Sequence, residues 1–244
     1  MKYQYTISVL LLIGTVMISA FIRFTKMPRV LVFSKTSGYH HQSIPDGIAA
    51  IQKLGKEQGF AVDTTTDSTQ FNERNLHNYK AVVFLSTTGN VLGTKEEKAF
   101  QEYITGGGGL IGIHAATDTE YDWPWYGQAI GAWFLSHPKQ QQATLHIVDG
   151  SHPSTRGLPQ SWTRWDEWYN FKSINPDLHV LITIDETSYE GGKNGAGHPV
   201  AWYRKEGKGT VFYTALGHTA ESYSEPAFLK HLAGGIQYVL QQEN

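Results

Sequence analysis

The sequence predicts an α/β fold in which a parallel sheet carries helices on both faces. Three observations carry that expectation. Short runs rich in β-branched apolar residues recur through the first half. Segments with helical apolar spacing separate them. The second half changes character, with strand-like runs and few helices between them.

The first run, RVLVF over Arg29–Phe33, is apolar on both faces, as a buried parallel strand should be. After the loop SKTSGYHHQS, apolar residues fall at Ile44, Ile48, Ile51 and Leu54, a helical stripe that Gly59 closes as a C-cap. Residues 60–64 and 80–85 read as the second and third strands. Thr94 is placed to cap a helix over residues 94–104, with Glu97 completing a capping box. Four glycines at 106–109 break that helix, and residues 110–113 form a fourth strand ending at His114. Further strands are expected at residues 143–148, 178–184, 199–203 and 210–214, and a last helix runs from about Pro226 to Leu240.

The chain has 244 residues, a formal net charge of -2 and no long basic run, so nucleic-acid binding has no electrostatic footprint. It has no cysteine, which removes disulfides, thiolate metal sites and a thiol nucleophile. What is enriched is histidine, 11 residues, and aromatics, with 7 Trp, 13 Tyr and 11 Phe. Aromatic faces suit the C–H surfaces of sugars as well as a core.

Residues 1–27 read as separate from a folded domain over 28–244. Lys2 precedes an apolar stretch, residues 7–22, that is short for a relaxed transmembrane helix and long for a cleaved signal core. It is expected to be a signal peptide or a signal anchor, the alternative being a buried helix of the domain. That places the domain in the periplasm, or tethered to the membrane through residues 7–22 if the segment is uncleaved. Arg23, Lys26 and Arg29 keep a cytoplasm-facing anchor open as the alternative.

In open α/β sheets, ligands bind beyond the carboxyl ends of the strands. Three polar segments fall there: Gly38-Tyr39-His40-His41, the STTGN stretch from Ser86, and His114-Ala115-Ala116-Thr117-Asp118. His41, His114 and Asp118 are therefore expected around one cleft. His114 occupies the sharp strand-to-helix turn where hydrolases place serine and amidotransferases cysteine. An imidazole there serves as a base or a metal ligand rather than an acyl acceptor, and no G-x-S-x-G exists elsewhere. Trp165-Asp166-Glu167-Trp168-Tyr169 sets a carboxylate pair among aromatics. On a strand only one of the two carboxylates can face the cleft. His137, His198 and His218 each lie in polar, glycine- or proline-bearing segments.

The ordered motifs GYHH, GGGGLIGIHAATD, FLSHP, DEWYNF, GHPVAW and YTALGH resemble the ThuA-like (trehalose utilisation) family from Arg29 to Leu240. His40 stands where the family form GYRH has arginine. The resemblance implies a class I glutamine-amidotransferase-like (flavodoxin-like) three-layer sandwich with a mostly parallel sheet and no amidotransferase nucleophile. It implies sugar catabolism, including trehalose and 3-keto-glycoside pathways.

The leading expectation is an enzyme working on a disaccharide or 3-keto-glycoside by acid/base elimination, hydrolysis or epimerisation. His114 is the expected base and Glu167 the acid, in a wall formed by Trp165 and Trp168. His41, Asp118, His137, Trp168, Tyr169, His198 and His218 are the expected substrate contacts. His41, His114 and His218 are also a possible divalent metal set. Hydrolysis through Asp118 and Glu167 is a further route. A non-catalytic carbohydrate- or partner-binding domain is the alternative.

The two-part organisation makes a simple prediction. A protein lacking residues 1–27 should be soluble and melt cooperatively by circular dichroism, whereas an aggregated product without a cooperative transition would contradict it.

Overall fold

The computed structural model describes residues 27–241; the apolar run at residues 7–22, and the expectations resting on it, lie outside the described residues. The parallel half alternates strand and helix. It comprises β1 (Arg29–Phe33), α1 (Ile44–Gln58), β2 (Ala61–Thr65), α2 (Glu73–Leu76), β3 (Ala81–Leu85), α3 (Thr94–Thr105) and β4 (Gly109–Ile113). The remainder comprises α4 (Pro124–Ile130), β5 (Trp133–Ser136), β6 (Gln141–Ile147), β7 (Ser161–Asp166), β8 (Asn170–Lys172), β9 (His179–Ile184), β10 (Pro199–Glu206), β11 (Gly209–Thr214) and α5 (Pro226–Leu240).

Nine strands form one sheet in the order β2-β1-β3-β4-β11-β10-β9-β6-β7, while β5 and β8 pair separately. From β2 to β11 every pairing is parallel, and β10 to β7 extend the sheet as antiparallel neighbours. The chemistry of the runs explains the division. β3, β4 and β11 are buried throughout, because helices cover both faces. β7 at the far edge alternates instead, burying Trp162, Arg164 and Asp166 and exposing Trp165.

The helices form two outer layers. α1 and α5 lie together on one face, lining a shared groove between Leu54 and Ala233. On the other face Phe84 of β3 packs against Phe100 of α3 and Tyr126 of α4, and Phe33 and Phe71 join that aromatic cluster. This is the expected three-layer α/β sandwich.

Local differences from the expected elements have plain causes. α3 begins after Gly93, whose carbonyl takes the Glu97 amide. Thr94 is thus the first helical residue, and the capping box does not form. Residue 60 stays outside β2 because its amide turns back to Gly55 O in the C-cap of α1, where Gly59 adopts φ 81°. The strands β5 and β8 are not among the expected elements: at four and three residues they are too short to carry a strand pattern, and they pair only with each other.

Two glycines are required by close approach. A Cβ on Gly112 of β4 would lie 2.6 Å from Ile130 Cδ1 and 2.8 Å from Tyr213, so the strand beneath His114 tolerates no side chain there. A Cβ on Gly234 of α5 would lie 2.1 Å from the carbonyl oxygen of Pro153, and backbone cannot step aside. Gly234→Ala should therefore destabilise the domain by about 1–3 kcal/mol, despite the gain in helix propensity. Calorimetry should show Tm falling by roughly 2–4 °C per kcal/mol. Gly150→Ala, which meets nothing within 4 Å, is the control and should leave Tm unchanged.

Candidate active site

The carboxyl end of β4 delivers His114 into an unusual backbone position. Its φ is 51°, the left-handed region that a side-chain-bearing residue enters only where its surroundings hold it. Three contacts do so. Tyr213 Oη donates to His114 O at 2.7 Å, and His114 Nδ1–H donates to Ala215 O at 2.8 Å. The buried Ala115 and Ala116 let the following turn tighten. With Nδ1 carrying its proton, a neutral His114 ring presents the Nε2 lone pair away from the sheet.

That nitrogen is the focus of a cluster. His41, from the loop after β1, places Nε2 at 3.1 Å, and His218, from the loop after β11, places Nδ1 at 3.0 Å. Glu167, just beyond β7, places Oε2 at 3.5 Å from His114 Nε2 and 3.1 Å from His218 Nδ1. These four donor atoms all lie within 4.8 Å of one another. The Tyr169 ring sits 4.4 Å from the His114 ring, closing the cluster laterally.

His114 is at the expected strand end, but its exposure differs from the expectation of a cleft-facing side chain. It is 0% exposed, roofed by His41, His218 and Glu167. The carboxylate pair divides as strand alternation requires. Glu167 turns into the cluster. Asp166 is buried beneath it and accepts from the amides of Glu167 at 2.9 Å, Gly217 at 3.0 Å and His218 at 3.1 Å. Arg164 pairs with Asp166 at 3.2 Å and continues to Glu225 at 3.2 Å and Ser222 Oγ at 2.7 Å.

A more open rim lies above the cluster. His137, about half exposed, points Nδ1 at Glu167 Oε1, 3.2 Å away, and at Pro138 O, 2.9 Å away. Nδ1–H donates to these oxygens, leaving Nε2 free. Asp118 accepts from Tyr121 Oη at 2.6 Å, and Lys172 stands over the Tyr121 ring at 4.9 Å. Tyr39 is exposed and meets the His41 ring edge-on at 4.8 Å.

Other expected site residues lie deeper. Trp168 is buried away from the cluster, its Nε1–H donating to Gln141 O, while Trp165 on the opposite face of β7 is 58% exposed. Neither forms the apolar wall expected around Glu167; Tyr169 does. His198 is fully buried, with Nε2–H donating to Tyr169 O at 2.8 Å and Nδ1 2.8 Å from Glu186 Oε1. Its position supports the Tyr169 backbone.

Four residues of the site were not anticipated: Arg164, Tyr213, Tyr121 and Gln140, whose amide lies 2.7 Å from His218 Nε2. The Arg164–Asp166 pair had a signal, since Trp162, Arg164 and Asp166 share one face of a strand by simple alternation. Gln140 had none.

Electrostatics follow from burial and pairing. Burial, then the neighbouring His114 and His218 imidazoles, push the His41 pKa down to about 2, so its ring stays neutral. Burial alone would raise Glu167, but its close contacts with the His114 and His218 imidazoles outweigh it and hold the carboxyl far below its usual range. Asp118 is raised, because burial outweighs the Tyr121 hydrogen bond and the nearby His114, His137 and Lys172.

The fold and site together define an α/β domain of flavodoxin-like, glutamine-amidotransferase-like topology whose strand-end turn carries an imidazole. The chain belongs to the ThuA family, described as trehalose utilisation, which matches residues 29–239. Its role is accordingly related to sugar metabolism. Similar solved structures share the fold. A ThuA-like protein from Bacteroides uniformis superposes with a TM-score of 0.76 at 24% identity, covering 91% of this chain and 95% of that one. Another from Parabacteroides merdae gives 0.73 at 20% identity, covering 90% and 93%. No curated protein matches the sequence significantly.

The shifted groups set a pH dependence. His41 takes up a proton more readily unfolded, near pH 6.5, than folded, near 2. Its contribution to stability is complete above about pH 6.5 and declines as pH falls, by about 1.4 kcal/mol per pH unit. Glu167, lowered in the fold, adds a loss of the same sign below about pH 4.5. Buried His152 and His231, lowered to about 4, steepen the decline further, so the test is comparative. Urea denaturation at pH 7.5, 6 and 5 should show a shallower acid loss in His41→Gln than in wild type.

Proposed function

We propose that the domain is an enzyme that eliminates the glycosidic oxygen of a 3-keto-glycoside by acid/base chemistry. The observation that carries this reading is a two-level arrangement. A buried centre of three imidazoles and one carboxylate lies under a rim. There, the second oxygen of that carboxylate orients a half-exposed histidine, near a carboxyl group of raised pKa.

The levels divide the labour. A keto group acidifies the neighbouring C–H bond, and the reaction needs a base, an electrophile at the carbonyl oxygen and an acid for the leaving group. The buried His114 has no open path to a substrate C–H bond, and an ionised Glu167 has no proton to give. Both roles therefore pass to the rim. His137 Nε2 takes the proton from C2, and Glu167 Oε1 holds the ring and stabilises the imidazolium. The electrons of that C–H bond form the enediolate at C2–C3, whose oxygen faces the buried centre. As the enediolate collapses, the C1–O bond breaks and C1=C2 forms. Asp118 protonates the departing oxygen, and Tyr121 keeps its carboxyl in place. Tyr39 offers an exposed face to the sugar beside His41.

The test is a screen of 3-keto-glycosides and their parent disaccharides, read by NMR. A 3-keto-glycoside should release its aglycone, leaving an unsaturated keto-sugar. His137→Ala and Asp118→Asn should each lose roughly a hundred- to ten-thousand-fold in rate, with Tm unchanged. His152→Ala, remote from the cleft, should retain full activity. Binding without turnover would favour a carbohydrate-binding module. Turnover of parent disaccharides alone would point to hydrolysis, and undiminished rates in both variants would remove the rim assignments.

A further inference from the structure

The buried centre invites a question the proton transfers leave open: what neutralises its carboxylate. Among the described residues, the ion-pair partners of Glu167 are His114, His137 and His218, with no lysine or arginine in the set. Arg164, the nearest arginine along the strand, is committed to Asp166 and Glu225. The Glu167 carboxyl, 8% exposed, is thus surrounded by imidazoles with no fixed cation beside it, an arrangement that a bound cation would complete.

We propose that His41 Nε2, His114 Nε2, His218 Nδ1 and Glu167 Oε2 bind one divalent first-row metal ion, zinc foremost. The distances fit a ligand shell. Metal bonds of about 2.0–2.1 Å give neighbouring ligands about 2.8–3.4 Å apart across octahedral and tetrahedral geometries. Four of the six donor pairs lie at 3.0, 3.1, 3.1 and 3.5 Å. Each donor comes from a different chain segment, so no local motif accounts for their meeting. Three imidazoles and one carboxylate, without sulfur, suit zinc, manganese or iron better than a soft or a purely oxygen-seeking ion.

The surroundings are those of ligands under orientation. His114 Nδ1–H is engaged by Ala215 O, which turns the Nε2 lone pair inward. Asp166 holds the backbone of both Glu167 and His218. Gln140 lies 2.7 Å from His218 Nε2; with its amide turned so that oxygen faces the ring, it accepts Nε2–H and frees Nδ1 for the ion. The inference uses the proposed reaction only to say what the ion would do there, which is to polarise the sugar carbonyl.

The test uses the purified protein after chelation and dialysis, titrated with Zn2+ against a chromophoric chelator and with Co2+ followed by its visible spectrum. One ion per chain should bind, and Tm should rise by about 5–10 °C at a hundredfold excess over Kd. His218→Ala and the near-isosteric Glu167→Gln should each weaken binding at least a hundredfold, and Gln140→Leu by about ten- to a hundredfold. His152→Ala should bind as wild type. If His114→Ala does not fold, Glu167→Gln and His41→Gln carry the test. Binding well below one equivalent, or equal binding in wild type and all site variants, would overturn the proposal. Stoichiometric binding without keto-glycoside turnover would leave the metal centre standing and sink the reaction. Full turnover in chelated protein would remove the ion's assigned part in the reaction, while the binding titration alone decides the site.

Discussion

The ion pair between Arg164 and Asp166 is the constraint on which the site depends. Asp166 is a fully buried carboxylate that accepts three backbone amides, and two of those belong to Glu167 and His218. Charge-assisted bonds of this kind are stronger than neutral ones, and a buried carboxylate left unpaired would be heavily penalised. The pair therefore fixes the end of β7 against the loop after β11. Two segments about fifty residues apart in the chain are registered to one another. Without that registration, Glu167 and His218 would sit on independently mobile loops.

The architecture explains why such a clamp is needed. His114 is positioned by the parallel sheet itself, through Gly112, Tyr213 and the left-handed turn. Glu167 and His137 come instead from the antiparallel wing and its loops. A site split between two halves of a sheet requires a link that is stiff in both directions. The guanidinium reaches Ser222 and Glu225 at the start of α5, so the link extends into the helical layer.

The sequence made the parallel half legible because its strands are continuous apolar runs and its helices end in glycine or begin near proline. Arg29–Phe33, Ile44–Gln58 and Pro226–Leu240 are read directly from such signals. The convergence of His41 and His114 was also legible, as both follow strands whose carboxyl ends must meet. Depth was not. Whether His114 faces solvent depends on what other loops lay over it, and His41, 73 positions away in sequence, and His218, 104 positions away, decide that. The aromatics around Glu167 misled for a related reason. Trp168 and Trp165 flank the segment in sequence, but strand alternation and the turn after Asp166 send one to the core and the other to solvent. The wall is built by Tyr169, one residue further on.

The amino ends of β1, β3 and β4 form a floor, and a hollow in that floor is lined by both Met27 and Leu240. The loops that carry His41 and His114 rise from the opposite ends of the same strands. The domain thus has its handles and its mouth at opposite poles. Met27 and Leu240 therefore stand at the pole of the domain opposite the imidazole cluster. The height of the sheet thus separates the described ends of the chain from the site.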